Sequence, residues 1–375
     1  MFRNAIRLPF KLLGIPVKLD ISFLFILPLF AWLIGSQVPG YVATFRQLGL
    51  DIDPAALQGG LTPYLLGLMA ALGLFASVLV HELGHALTAR LYGVETKEIT
   101  LWFLGGVAQF TELPRQRGAE AVVAAAGPVV SFALAGLFWW LWHGTLTSAA
   151  LLFILSYLSI TNGFLAVFNL LPALPLDGGR IFRSLLALRL DYVRATRIAA
   201  GLSQVIAVLL GLYGFFNFQF FLVILAFFIY NAVRAETQYA VVSRTFENLK
   251  VRDLMTREPV TVEPDMRLEQ FLQLMFFKKH LGYPVMQDGR LLGFAKLQDA
   301  KDKAEDATVA DIMLPAETIY ESEDALGALR RVGASAVGRL VVLDAADRMV
   351  GILSKTDLIR TLQNKETPTA AATVR

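Results

Sequence analysis

The chain has 375 residues, 55% of them hydrophobic and only 17% charged, with a mean hydropathy of +0.55. These values exclude an ordinary soluble domain and indicate a membrane protein. It has no Cys, which rules out disulfides and thiolate metal ligands and leaves His, Asp and Glu to hold any metal. The net charge of +3 sums two unlike halves: residues 1–246 hold 16 Lys/Arg and 11 Asp/Glu, residues 247–375 hold 18 and 20. The pI near 9.0 therefore reflects membrane-flanking cations and makes no case for nucleic-acid binding.

Met1 to Asp20 lacks a signal-peptidase cleavage pattern, so the first apolar run is expected to stay as a membrane helix. Residues 21–45 carry no charge, and Ile21 to Val38 is long enough for a first span. Gly40 to Gly60 reads as a mixed loop. Thr62-Pro63 then reads as an N-cap with proline at the first helical position, opening a second span. Late in that span comes His81-Glu82-Leu83-Gly84-His85. On a helix His81 and His85 are i and i+4, so both imidazoles project from one face and can share a Zn²⁺, with Glu82 beside the fourth coordination position as base for a water. Ionisable groups inside an apolar helix cost about 2.5–3.5 kcal/mol each on insertion scales, so their clustering indicates a functional site.

Ile99 to Phe110 has two apolar arms around Gly105-Gly106 and predicts a β-hairpin, too short to span as a helix. Ala121 to Leu176 is free of Asp, Glu, Lys and Arg and must fold back once, turning at His143-Gly144-Thr145 between spans near 119–142 and 148–171. Ile198 to Val233 makes a fifth and sixth span about Gly214 to Gln219. With the N-terminus inside, thirteen Lys/Arg lie on the cytoplasmic side and only Arg46 in the outer loops, which sets the orientation.

The second and fourth spans then end on the same membrane face. The fourth closes in Asn169-Leu170-Leu171-Pro172-Ala173-Leu174-Pro175-Leu176-Asp177-Gly178-Gly179, and Asp177 is the first charge after 56 residues without one. Broken backbone at membrane depth is tolerated where protein or a water-filled cavity satisfies it. Asp177 is therefore the expected third metal ligand. The Asn169 amide either donates to the oxyanion of a tetrahedral intermediate or satisfies backbone freed by the prolines. His143 and His280 are expected to have no part in the site.

Taken together, His81-Glu82-Leu83-Gly84-His85, the Gly105-Gly106 hairpin, Gly127-Pro128 and Asn169-x-x-Pro172-x-x-Pro175-Leu176-Asp177-Gly178-Gly179 resemble the site-2 protease family of intramembrane zinc metalloproteases, over about residues 1–246. The resemblance implies cleavage of transmembrane segments of other proteins. It also implies His81, His85 and Asp177 as zinc ligands, one Zn²⁺ per chain, Glu82 as catalytic base and Asn169 as a substrate-orienting or oxyanion group. The hairpin would receive an extended substrate as an added strand or plug the cytoplasmic rim of the site.

Beyond a polar connector, Glu236 to Lys250, the chain repeats itself. Val251-Arg252-Asp253-Leu254-Met255 recurs as Val309-Ala310-Asp311-Ile312-Met313, and Gly293 to Asp299 recurs as Gly351 to Asp357, both at an offset of 58. The repeat resembles a pair of cystathionine-β-synthase (CBS) domains, which implies adenine-nucleotide binding (ATP, ADP or AMP) and homodimerisation. In the second copy Asp357 would accept from ribose hydroxyls, with Ser354 and Thr356 as donors; the first copy keeps Asp299 but has Lys296 where the second has Ser354. The expected fold is thus a polytopic α-helical membrane protein with six transmembrane helices and a membrane-associated β-hairpin, followed by an α/β CBS pair. The expected domains are 1–246 protease, 247–305 and 306–362 CBS, and 363–375 a disordered tail. The expected location is the cell membrane, with N-terminus and CBS pair cytoplasmic. The alternatives are a CBS-regulated transporter or channel, and a membrane-anchored zinc protease acting on soluble chains.

Overall fold

The computed structural model describes residues 5–366 apart from 51, 104, 112–115, 144–147, 279, 281, 301–306 and 336. Leu104 in the hairpin, Gly144 and Thr145 of the outer turn, Arg3 and Arg115 among the flanking cations, and residues 367–375 of the tail lie outside the described residues. The chain divides into two compact units, 1–238 and 239–375.

The first unit opens with two strands that the sequence reading passed over as flanking cations: β1 (Ile6–Leu12) and β2 (Ile15–Leu19), joined through Leu13 and Gly14 at positive φ. Next come α1 (Ile21–Ser36) and α2 (Val38–Gln47), bent by 59° at a one-residue break. The expected loop from Gly40 is therefore helical as far as Gln47. Val38, Val42 and Phe45 recur at helical spacing and are all buried, and Pro39 sits in the first turn, where its missing N–H costs nothing. The central helix, α3 (Thr62–Leu91), is capped by Leu61, so Thr62 is its first helical residue and not its cap.

After it come β3 (Thr96–Trp102) and β4 (Gly105–Phe110), then α4 (Ala119–Trp142), α5 (Ala149–Asn169), α6 (Asp177–Ala187), α7 (Tyr192–Phe216) and α8 (Phe220–Phe246). The hairpin pairs Trp102 with Gly105, so both glycines belong to β4 and not to the turn where they were expected. Its sheet has the order β1-β2-β3-β4, with β2 and β3 parallel and β4 at the edge. The expected connector from Glu236 is helical as far as Phe246, as its Glu, Gln and Ala content favours. Among the described residues five helices, α3, α4, α5, α7 and α8, are long and apolar enough to cross a membrane, and α1 with α2 makes a sixth if the bent pair counts as one span. Between such helices lipid gives no hydrophobic drive, and packing holds them together. Phe153, Phe45, Tyr41 and Tyr157 interlock in this way in the core that α2, α3 and α5 share.

The second unit contains β5 (Thr256–Arg257), α9 (Leu268–Lys278), β6 (Gly282–Gln287), β7 (Arg290–Lys296), β8 (Thr318–Tyr320), α10 (Ala325–Ala334), β9 (Arg339–Leu343), β10 (Met349–Ser354) and α11 (Lys355–Glu366). The 58-residue repeat is visible in the pairing. Thr256, just after the first motif, pairs with Ile352 of the second copy, and Leu314, just after the second motif, pairs with Phe294 of the first. Each copy thus lends an edge to the other's sheet. The repeated Asp caps its own short turn: Asp253 accepts from the Lys250 N–H at 2.9 Å and Asp311 from the Thr308 N–H at 2.8 Å.

Candidate metal centre

His81 and His85 lie on one face of α3 and are 4% and 6% exposed. Their Nε2 atoms are 3.2 Å apart, and Asp177 Oδ2 is 3.2 Å from each. Asp177 arrives there because α5 stops at Asn169 and α6 begins at Asp177. In this first turn the backbone N–H groups favour a carboxylate. The intervening loop is internally satisfied: the Leu174 N–H donates to Ser203 Oγ at 2.7 Å, and the Leu176 N–H to the Ala173 carbonyl at 2.9 Å. A Cβ on Gly178 would meet the Leu170 carbonyl oxygen at 2.2 Å, so only glycine lets α6 start this close to the end of α5.

The outer faces of both imidazoles are fixed by α4. His85 Nδ1 donates to the Val123 carbonyl at 2.8 Å, and His81 Nδ1 lies 2.8 Å from Ser131 Oγ. A bond from Nδ1–H to a carbonyl fixes the tautomer in which Nε2 carries the lone pair, the usual second layer of a metal-bound histidine. Gly127, on the same helix, supplies the space. A Cβ there would lie 2.3 Å from His85 Nε2 and 2.5 Å from His81 Nε2, so its absence leaves a cradle where the nitrogens converge.

These observations test whether the residues fit a zinc ion. Three N/O atoms bound tetrahedrally at about 2.0–2.1 Å stand about 3.3 Å from one another, and the three here stand 3.2 Å apart. Two imidazoles and one carboxylate, without sulfur, form a His₂Asp donor set of the kind that leaves one position open. The residues fit.

Glu82 follows His81 on α3, and its Oε2 accepts from the Ala108 N–H of β4 at 3.0 Å. A Cβ on Gly106 would meet Glu82 Cγ at 2.6 Å, which explains why a glycine stands in the strand there. Asn169 closes α5, half-buried, and its side-chain amide makes no hydrogen bond among the described residues. His143 packs on Trp139 and Trp142 at the end of α4, and His280 belongs to the second unit, near Tyr283. The sequence reading did not assign roles to Ser131, Gly127 or the Val123 carbonyl. The signal for Ser131 was present: with Glu120 it is one of only two polar side chains in α4.

In the second unit Asp357 Oδ2 accepts from Ser354 N–H at 2.9 Å and Ser354 Oγ–H at 2.6 Å, and its Oδ1 accepts from the Thr256 hydroxyl at 3.0 Å. Thr356 is exposed. Asp299 differs: its Oδ2 is buried without a partner among the described residues.

The profile of peptidase family M50 matches residues 69–147 and 142–213, and the CBS domain profile matches 251–305 and 309–364. A zinc metalloprotease of Methanocaldococcus jannaschii is 32% identical over 96% of this chain and 96% of its own. The Rip3 protein of Mycobacterium tuberculosis is 32% identical over 96% of this chain and 93% of its own. The chain belongs to peptidase family M50. It is a zinc metalloprotease of the site-2 protease type with a C-terminal CBS pair, which sets aside the transporter and channel alternative. The solved site-2 protease from Methanocaldococcus jannaschii is 30% identical, with a TM-score of 0.45, over 62% of this chain and 95% of that one.

Proposed function

We propose that this M50 protease hydrolyses peptide bonds within or beside transmembrane segments of other proteins, with His81, His85 and Asp177 holding one zinc ion and Glu82 as general base. The observation that carries this is the 3.2 Å convergence of two imidazole nitrogens and one carboxylate oxygen behind a glycine. When bound, zinc supplies a Lewis acid that polarises the scissile carbonyl and lowers the pKa of water. Glu82 takes the proton of the attacking water and delivers it to the leaving amine. For this its carboxylate exchanges the Ala108 N–H for water. The Asn169 amide, with no partner among the described residues, donates to the carbonyl oxygen as it gains charge. Ser131 and the Val123 carbonyl hold the imidazole rings throughout.

The position of β4 at the sheet edge supports strand addition by an unwound substrate, which would expose its peptide bond beside Glu82. Apart from the expected 363–375 tail, into which α11 runs four residues as far as Glu366, the division into 1–246 protease and 247–305 and 306–362 CBS domains belongs to the same proposal. So does a cell-membrane location with N-terminus and CBS pair cytoplasmic, on the Lys/Arg asymmetry of the connections. For the CBS pair we propose a regulatory adenine nucleotide and a homodimer. Ser354, Thr356 and Asp357 form one candidate ribose site, and Asp299 Oδ2, without a partner among the described residues, supports a second.

The test is cleavage of a tagged single-span membrane protein by the purified full chain in detergent. Glu82→Gln is expected to keep one zinc per chain and to lose about a thousandfold in rate. Wild-type activity in that variant would remove Glu82 from the mechanism.

A further inference from the structure

Beyond the triad, Arg183 is the one charged side chain buried among the described residues, 1% exposed. It lies on α6, the helix that Asp177 opens. Its Nε donates to Glu120 Oε1 at 3.1 Å, its Nη2 donates to the same oxygen, and Nη2 reaches Glu236 Oε1 on α8 at 3.0 Å. The Tyr192 ring at the start of α7 lies 5.4 Å from its guanidinium. Arg180 Nε, one turn from Asp177, is 3.4 Å from Glu236 Oε1. Two guanidiniums and two carboxylates therefore balance.

The placement of Glu120 gives the cluster its meaning. Glu120, Val123, Gly127 and Ser131 follow one another on α4 at spacings of three and four, so they share one helix face. Three of them shape the metal site: Val123 and Ser131 hold the imidazoles, and Gly127 leaves the space between them. The fourth grips α6. A second tie runs beside it, from the Ala121 N–H to Ser184 Oγ at 3.2 Å. A buried Arg fork between carboxylates is geometrically specific in a way that apolar packing is not.

We propose that Arg183 and Glu120 are positioning residues of the metal centre. Their ion pair fixes the register of α6 against α4, and thereby sets where the Asp177 carboxylate stands relative to the two imidazoles. The inference rests on His81, His85 and Asp177 being the zinc ligands. Glu236 has the lesser part, because Arg183 keeps Glu120 when Glu236 is neutralised.

The test uses the purified full chain, stripped and reloaded with cobalt(II), whose visible absorption reports coordination geometry. Compared are wild type, Glu120→Gln, Arg183→Lys, Glu236→Gln and, as a stability control in the outer helical core, Phe153→Leu. Glu120→Gln and Arg183→Lys are expected to weaken cobalt binding at least tenfold, to alter its absorption, and to lower kcat more than tenfold with KM within twofold. Glu236→Gln is expected to change each in the same direction and by less. Phe153→Leu is expected to lower the melting temperature and keep the wild-type spectrum. If Glu120→Gln and Arg183→Lys lower the melting temperature and leave cobalt affinity and spectrum unchanged, the pair is scaffold alone and the proposal is wrong. Should Arg183→Lys fail to fold, Glu120→Gln decides by the same criteria. A wild-type chain that takes up no cobalt overturns the metal-site reading itself, and this inference with it.

Discussion

The two units handle polar groups in opposite ways. All thirteen buried polar or charged residues among those described, from Ser77 to Ser203, lie in the first unit, and the cores of the second are apolar. In the first unit a titratable side chain inside a helix needs a partner, so each one that is present points to something: His81 to Ser131, His85 to Val123, Arg183 to Glu120. In the second, carboxylates such as Asp253 and Asp311 sit at the surface and cap turns, and there a charge alone indicates nothing. A single misplaced atom should therefore cost function in the first unit, and only modest stability in the second.

The sharpest way to break this contrast is Gly127→Ala. The new Cβ would stand 2.3–2.5 Å from both ligand nitrogens, so the variant is expected to fold and to carry less than a tenth of the wild-type zinc, measured by elemental analysis. Full zinc content in that variant would mean the nitrogens do not converge on the ion. Next is Ser131→Ala, which removes the partner of His81 Nδ1. Chelator competition is expected to show zinc affinity reduced about 10–100-fold, the usual effect of losing such a second-layer bond. An unchanged affinity would show that packing alone orients the ring.

In the second unit Asp357→Ala removes the acceptor of three internal hydrogen bonds at the start of α11 and is expected to cost about 1 kcal/mol in denaturant titration, as cap losses do. Asp299→Ala removes an oxygen that has no partner among the described residues, and stability should stay within about 0.5 kcal/mol or rise. Equal losses at both positions would erase the distinction between the two copies. The smallest effect concerns Asp344, which hydrogen bonds from the Arg348 backbone and side chain hold below the usual carboxylate range. A carboxylate lowered in the folded state stabilises it above its ordinary value, and this contribution fades as pH falls through the lowered one. In Arg348→Ala the Asp344 titration followed by NMR should move part of the way back up, because the backbone bond remains; no movement would show that the backbone bond alone sets it.

The same contrast explains what could be read from the sequence. An Asp ending 56 uncharged residues and a His-Glu-x-x-His in an apolar run are legible because lipid makes polar groups expensive, and the structure brings the three expected ligand side chains together. The repeat offset of 58 was equally plain, since it needs no chemistry to see. Strands β1 and β2 were missed because their Lys and Arg read as membrane-flanking charge, while β3, with which β2 pairs, lies some eighty residues away. The first span was expected to end at Val38, beside the break at Gln37, and α2 was missed because Val38–Gln47 opens with Pro and Gly and is much less apolar than α1; its buried Val38, Val42 and Phe45 are a packing pattern that hydropathy alone does not show. Gly127 was visible as part of a family signature, but its role depends on a distance between two helices that one sequence does not contain.

The central claim is that His81, His85 and Asp177 share a zinc ion. Zinc K-edge X-ray absorption on the purified full chain tests it most directly. The account predicts one zinc per chain with a four-coordinate nitrogen and oxygen shell at about 2.0–2.1 Å, two of its scatterers imidazole, and loss of that shell in Asp177→Asn. An imidazole-free six-coordinate shell, or a shell unchanged in Asp177→Asn, would contradict it.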